Sequence, residues 1–311
     1  MTTPPTIAVT PHAGRILPGW AKLLPTLALF VISGVALAQP RGITSGDMPL
    51  AASRFPTYVA FQGDKDNGLT LSTQARARNI PLKPPWFATG FYVPLGYLNF
   101  GALITYGNQS ANGNGVLIFA FHGDALAAYQ KWGSGENILA IAPGVFGGVA
   151  CKVGQWAHTA LIVAANGTAS IVLDGVLGTS EPGVSINWPT STGPTETLDL
   201  TFGSWGNRPP GGGSDADNLN GGLRDWVVVT GTPTPAELEA YRNGGDPAQI
   251  WGAARIVGYW HFTSNPATGE PDASGHGHML TYSDAGSAAG HSLPVLVTPA
   301  ALAKPTPGAN H

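Results

Sequence analysis

Charge is what this chain has least of. Lys, Arg, Asp and Glu make up 11% of its 311 residues, less than half the usual share of about 25%. Glu, Lys and Arg are strong helix formers, so their scarcity argues against a mostly helical protein. The 15 basic residues are outnumbered by 18 acidic ones, for a net charge of −3. No basic stripe is available to neutralise phosphates, which argues against a nucleic-acid partner. Cysteine is nearly absent. Cys151 stands alone, so no intrachain disulfide can form. Its apolar, glycine-rich setting (GGVACKVG) reads as a packed, inert thiol.

Catalytic signatures are missing as well. Glycosidases built on two stacked sheets place carboxylates on alternate positions of one strand, where acid and nucleophile flank the glycosidic bond. The six glutamates are 136, 181, 196, 237, 239 and 270, and none makes such a pattern. Glu196 and Asp199 are three apart, which sends them to opposite faces of a strand. There is no G-x-S-x-G elbow, P-loop or H-E-x-x-H run. The reading is therefore a non-enzyme, with a polysaccharide-cleaving enzyme ranked third among the functions considered.

Glycine (43), proline (27) and aromatics (nine Trp, eight Tyr, eleven Phe) are plentiful. Residues 1–38 have the form of an export leader. Arg15 and Lys22 precede an apolar run from Leu23 to Ala38, which ends in Ala36-Leu37-Ala38 before Gln39-Pro40. That is an A-x-A cleavage pattern. The run is short for a bilayer span of roughly 20 residues, and an uncleaved anchor is the rival reading. A membrane partner is expected only through that uncleaved segment. Residues 39–56 read as a linker or arm.

From residue 57 short β-prone runs recur, with turn residues between them. They fall at 57–62, 69–73, 86–93, 102–107, 116–121, 126–131, 138–142, 156–164, 168–174, 197–203, 223–230 and 255–262. No βαβ pattern appears, and this punctuation predicts an antiparallel sandwich or barrel. The runs 156–164 and 168–174 flank Asn166-Gly167, whose left-handed conformations suit a tight hairpin. Leu161, Val163, Ile171 and Leu173 alternate with smaller residues, as strands with one buried face do. One short helix is expected near 235–243. Thr234-Pro235-Ala236-Glu237 is a capping box with proline at the first turn, and Gly244 stands at the far end.

These segments resemble a known family. Trp156-x-His158, followed by a hairpin ending Leu173-Asp174-Gly175, is similar to the W-x-H … DG core of laminin-G-like domains. FGSW (202–205), NGGLRDWVVV (220–229) and TPAELEAYRNGG (234–245) continue the likeness, as does YWHF…DASGHGHML (259–280). The resemblance implies a concanavalin A-like jelly roll. It is an all-β fold of two antiparallel sheets, as one domain over 57–298 with a Pro-rich tail over 299–311. The 259–280 segment either closes the jelly roll in permuted order or is the vestige of a second repeat.

Two loops are rich in oxygen ligands and end in glycine. One carries Asp64 and Asp66. The other carries Asp215, Asp217, Asn218 and Asn220. Hard cations want such donors, which makes Ca2+ the cofactor to consider, with the 215–220 loop ahead. The family resemblance points the same way, since relatives hold calcium at the rim. His276 and His278 offer only two ligands and read as a glycine-rich surface loop. His158 reads as a structural histidine. Trp132 and Trp205 sit in glycine-rich contexts where a ring serves as a stacking platform for a sugar, with Asn207 and Arg208 as polar neighbours to Trp205. The expected function is a non-catalytic binding module of an exported protein, secreted or on the cell surface. It would recognise a carbohydrate or a cell-surface ligand. The second reading is a structural or adhesive subunit of a cell-surface or virion appendage, with a homo-oligomer or larger assembly as partner.

Overall fold

The computed structural model describes residues 57–61, 73–94, 101–107, 116–122, 125–132, 135–142, 155–180, 198–204, 219–284 and 293–298. The leader, the arm, Cys151 and the tail after residue 298 lie outside them. In the described part sixteen strands form two sheets. They are β1 (Tyr58–Phe61), β2 (Thr73–Ile80), β3 (Trp86–Pro94), β4 (Ala102–Tyr106), β5 (Val116–His122), β6 (Ala125–Trp132), β7 (Gly135–Ile141) and β8 (Ala157–Val163). There follow β9 (Ala169–Leu173), β10 (Val176–Leu177), β11 (Thr179–Ser180), β12 (Leu198–Phe202), β13 (Gly221–Thr230), β14 (Ile256–Trp260), β15 (Thr281–Asp284) and β16 (Val295–Val297).

The first sheet runs β10-β9-β8-β3-β13-β1-β16, and β14 also pairs with β13. The second runs β11-β7-β6-β5-β4-β12-β2-β15. Neighbours pair antiparallel. This is a two-sheet antiparallel jelly-roll sandwich, the all-β class expected from the strand runs. The 259–280 segment closes it, because β14 belongs to the first sheet and β15 to the second. The chain enters through β1 and returns through β16, which pair with each other, Tyr58 opposite Val297.

The core between the sheets is aromatic. Phe202 of β12 lies 5.9 Å from Trp226, 5.5 Å from Trp260 and 5.2 Å from Phe262, ring to ring. All four are fully buried, and such edge-to-face contacts add to the burial energy. The Trp226 indole is admitted by Gly90 on β3: a Cβ there would fall 2.5 Å from its ring carbons. The alternating residues of the β8–β9 hairpin, Leu161, Val163, Ile171 and Leu173, join this core.

A second apolar layer lies on the outside of the first sheet. Helix α1 (Pro235–Arg242) buries Leu238 and Tyr241 against Phe87, Val227 and Val229. The capping box is present in full. Thr234 accepts from the Glu237 amide, and the Glu237 carboxylate accepts from the Thr234 amide. A second, five-residue helix, α2 (Pro247–Trp251), follows, with Asp246 capping the Ala248 amide. Replacing Thr234 by alanine is expected to cost about 1 kcal/mol of unfolding free energy. Urea denaturation reads this directly, and an unchanged midpoint would show that the cap contributes nothing.

Three strands, β2, β15 and β16, differ from the sequence expectation. A strand begins at Thr73 and runs to Ile80, whereas the run marked for it was 69–73, of which 69–72 lie outside the described residues. The inward side chains of β2 are Ala75, Ala77 and, at its end, Ile80; the two alanines are too small to announce a buried face. β15 and β16 follow glycine-, alanine- and proline-rich stretches and carry no such signal.

Candidate functional site

Strand direction sorts the loops into two rims. Phe61, the last residue of β1, pairs with Gly221, the first of β13, and Gly221 also pairs with Pro94, the last of β3. In the second sheet the end of β12 (Phe202), the start of β2 (Thr73) and the β5–β6 turn (His122 opposite Ala125) lie toward this same end. The connections after Phe61 and before Gly221 therefore leave from neighbouring strand ends. These carry Asp64 and Asp66 on one side, and Trp205, Asn207, Arg208, Asp215, Asp217 and Asn218 on the other. All eight residues lie outside the described ones. Asn220 is described and half-buried, immediately before β13. Trp132 is the last residue of β6, opposite Gly135 at the start of β7. That end is a full strand, roughly 23 Å, from the β5–β6 turn. Trp132 thus lies at the opposite end of the second sheet from Phe202, where β12 ends.

Beside the first rim, the outer face of the first sheet carries a half-buried aromatic and charged patch. Tyr58 and Trp156 meet edge to face at 5.2 Å, and the Arg224 guanidinium stands 5.9 Å from the Trp156 ring. Gly222 makes room for Tyr58, since a Cβ there would fall 2.6 Å from its ring. Arg224 pairs with Asp225 at 3.1 Å, and the other Asp225 oxygen lies 3.0 Å from His261 Nδ1. Asp225 is buried and left-handed, with φ of 46°. Its position explains the strain. Along one side of β13 the partner changes from β1 (through Leu223) to β14 (from Trp226), and the bulge falls between them. The carboxylate, and the backbone carbonyl that accepts from the Tyr241 hydroxyl, tie this junction to His261 and to α1. In the sequence, Trp156 belongs to the W-x-H motif, which does not announce the patch. A signal was present, however. Arg224-Asp225 are adjacent charges inside the apolar run of β13, in a chain with very few charges.

The other buried and half-buried carboxylates hold the fold together. Asp272 accepts from the amides of Tyr259, Ser274 and His278 and from the Ser274 hydroxyl. Although burial opposes ionisation, these hydrogen bonds hold its pKa below the ordinary value. This clamp organises the loop that presents His276 and His278. Glu270 accepts from the amides of Thr263 and Ser264 and from the Tyr282 hydroxyl. Burial, then the Glu270 charge, pushes the Tyr282 pKa far up. Asp199, three residues after Glu196, pairs with Arg76 on the outer face of the second sheet. Among the described residues no three His, Cys, Asp or Glu side chains gather as a metal group.

His158 is fully enclosed. The Thr89 hydroxyl donates to the Thr159 carbonyl at 2.9 Å, so it accepts from His158 Nε2 at 2.8 Å. Nδ1 then carries the lone pair, and it has no hydrogen-bond partner. Burial foremost, then the Arg242 charge, lowers the imidazole pKa to about 3. The ring is neutral packing between Phe91 and Tyr241.

No family model matches the chain, and no curated protein does. Solved structures do. One is a heptameric SAP-like pentraxin from Limulus polyphemus, at 14% identity and a TM-score of 0.45, covering 61% of this chain and 83% of that one. Another is mouse laminin alpha1 domains LG4-5, at 12% identity and a TM-score of 0.36, covering 55% and 41%. A third is domain 4 of an extracellular arabinanase from Geobacillus stearothermophilus, solved with arabinotriose, at 14% identity and a TM-score of 0.40, covering 58% and 79%. Likenesses this distant carry no function; the fold rests on the strand order and register given above.

Proposed function

We propose that this domain is a non-catalytic module of an exported protein that binds a carbohydrate or cell-surface ligand at the first rim. The register of β1 against β13 supports this most directly. By pairing Phe61 with Gly221 it launches two oxygen-rich connections from adjacent strand ends. Carboxylate and amide oxygens of Asp215, Asp217, Asn218 and Asn220, joined by Asp64 and Asp66, are the donor type a calcium ion takes. In that reading the cation would offer coordination sites to sugar hydroxyls, and Trp205, Asn207 and Arg208 would supply stacking and hydrogen bonds. The leader at 1–38 would direct export.

Binding of the full chain to a glycan and polysaccharide panel tests the reading, first with calcium and then with EDTA. The expected result is binding that EDTA abolishes and that Asp215→Ala with Asp217→Ala weakens at least tenfold. Binding indifferent to EDTA would remove calcium and move the site to Trp205, or to Trp132 at the opposite end. No binding to any glycan would overturn the reading and favour the structural subunit of a surface or virion appendage.

A further inference from the structure

Three strands bring outward side chains together beside the first rim. Trp156 immediately precedes β8, Tyr58 opens β1 and Arg224 lies within β13. Their chain neighbours Ala157, Val59 and Leu223 point into the core, so these three point out of it. Register sets them side by side: Ala157 stands opposite Tyr92, Tyr92 opposite Leu223, and Leu223 opposite Val59. Helices α1 and α2 cover a different part of this face, over Phe87, Val227 and Val229. Trp156 and Tyr58 remain half-buried.

Both rings are held in place. Tyr58 lies over the backbone of Gly222 and meets Trp156 edge to face, while the Arg224 guanidinium stands against the Trp156 ring. Their polar ends are open. Neither Trp156 Nε1–H nor the Tyr58 hydroxyl has a hydrogen-bond partner among the described residues, and neither atom is enclosed. The enclosed indoles of Trp226 and Trp260 donate instead to the carbonyls of Phe91 and His278. Tyrosine and tryptophan with an apolar body and a wet polar tip are side chains that interfaces favour, and their rigidity keeps the entropy cost of binding low. A ligand that matches them presents an apolar ring face with hydroxyl oxygens around it. Arg224 is already matched by Asp225, so the pair offers little to an acidic group. A neutral sugar has the required chemistry: C–H bonds on one face of the ring, hydroxyls at its edge.

We propose that Trp156 and Tyr58 form a neutral-sugar subsite on the outer face of the first sheet. The rings pack on the C–H face of the sugar, and Nε1–H and the phenol hydroxyl donate to its hydroxyl oxygens. Arg224 is a positioning residue that acts through the Trp156 ring. The inference rests on the carbohydrate reading above and extends that site from the rim onto the sheet, with side chains that need no cation.

Fluorine NMR of the full chain labelled with fluorotryptophan tests it, in titrations with oligosaccharides of cellulose, xylan, mannan and arabinan. The Trp156 line is identified by its loss in Trp156→Phe. The expected result is that one of these sugars shifts that line. Tyr58→Phe, which keeps the ring and loses the hydroxyl, should weaken the same binding about threefold with an unchanged melting temperature. A sugar that binds with the Trp156 line unmoved, and equally well to Tyr58→Phe, would overturn the subsite. If Asp215→Ala with Asp217→Ala abolished that binding, the rim reading would stand without it. No binding of any of the four sugars would also overturn the subsite; the rim reading falls only when the acidic glycans of the wider panel fail too.

Discussion

Replacing Trp226 by alanine is expected to remove about 3–5 kcal/mol of unfolding free energy, the usual range for a fully enclosed large aromatic. The indole is fully buried, packs against Phe202 and donates to the Phe91 carbonyl at 3.0 Å. It also occupies the space that Gly90 leaves by having no side chain. Gly90→Ala is the complementary experiment. A methyl group 2.5 Å from the ring must displace it, at a cost of about 1–3 kcal/mol from overpacking. The two changes are not additive. With Trp226 already alanine, the added methyl enters a cavity, and most of its cost disappears. A urea double-mutant cycle reads this coupling. Additive effects would mean that the glycine is present for another reason.

The second large effect is a loss of stability in acid. Burial and Arg242 lower the His158 pKa to about 3 in the folded state, against about 6.5 for an exposed imidazole. Between those values the unfolded chain binds a proton that the folded one refuses. Stability contributed by the neutral ring is therefore complete above about pH 6.5. It is lost as pH falls, at about 1.4 kcal/mol per unit, approaching about 5 kcal/mol near pH 3. Glu239, which faces the ring on α1, works against the depression. Urea midpoints measured from pH 7 to pH 4 should fall, and His158→Gln should remove most of the slope while lowering the plateau. An unaltered slope in that variant would assign the acid sensitivity to other groups.

What could be read from the sequence was local and strongly patterned. Asn166-Gly167 between two alternating runs marked the β8–β9 hairpin, and Thr234 with Glu237 marked α1, because each signal lies within a few residues of its effect. β2 was harder to see, since two of its inward residues are alanines and its outward ones include arginines. The proposed binding rim was legible only as composition. Oxygen-rich loops at 64–68 and 215–221 were visible, but that they leave from neighbouring strand ends depends on Phe61 facing Gly221 across 160 residues of chain. Asp225 was opaque for a related reason. Its left-handed backbone answers a change of strand partner that only the assembled sheet contains. His158 was read as structural, and the depth of its enclosure comes from Thr89 on another strand and Tyr241 on a helix.

The pairing of β1 with β16 has a geometric consequence for display. β1 runs toward the rim that launches the oxygen-rich connections, and β16 runs away from it, Tyr58 beside Val297. Thr57 and Thr298 therefore lie side by side on one edge of the first sheet, at the end away from that rim. A tether on either side of the domain would act as a stalk with a single point of attachment. The loops would then be held outward like the head of a probe, and lengthening or shortening the stalk would change their reach without disturbing their shape.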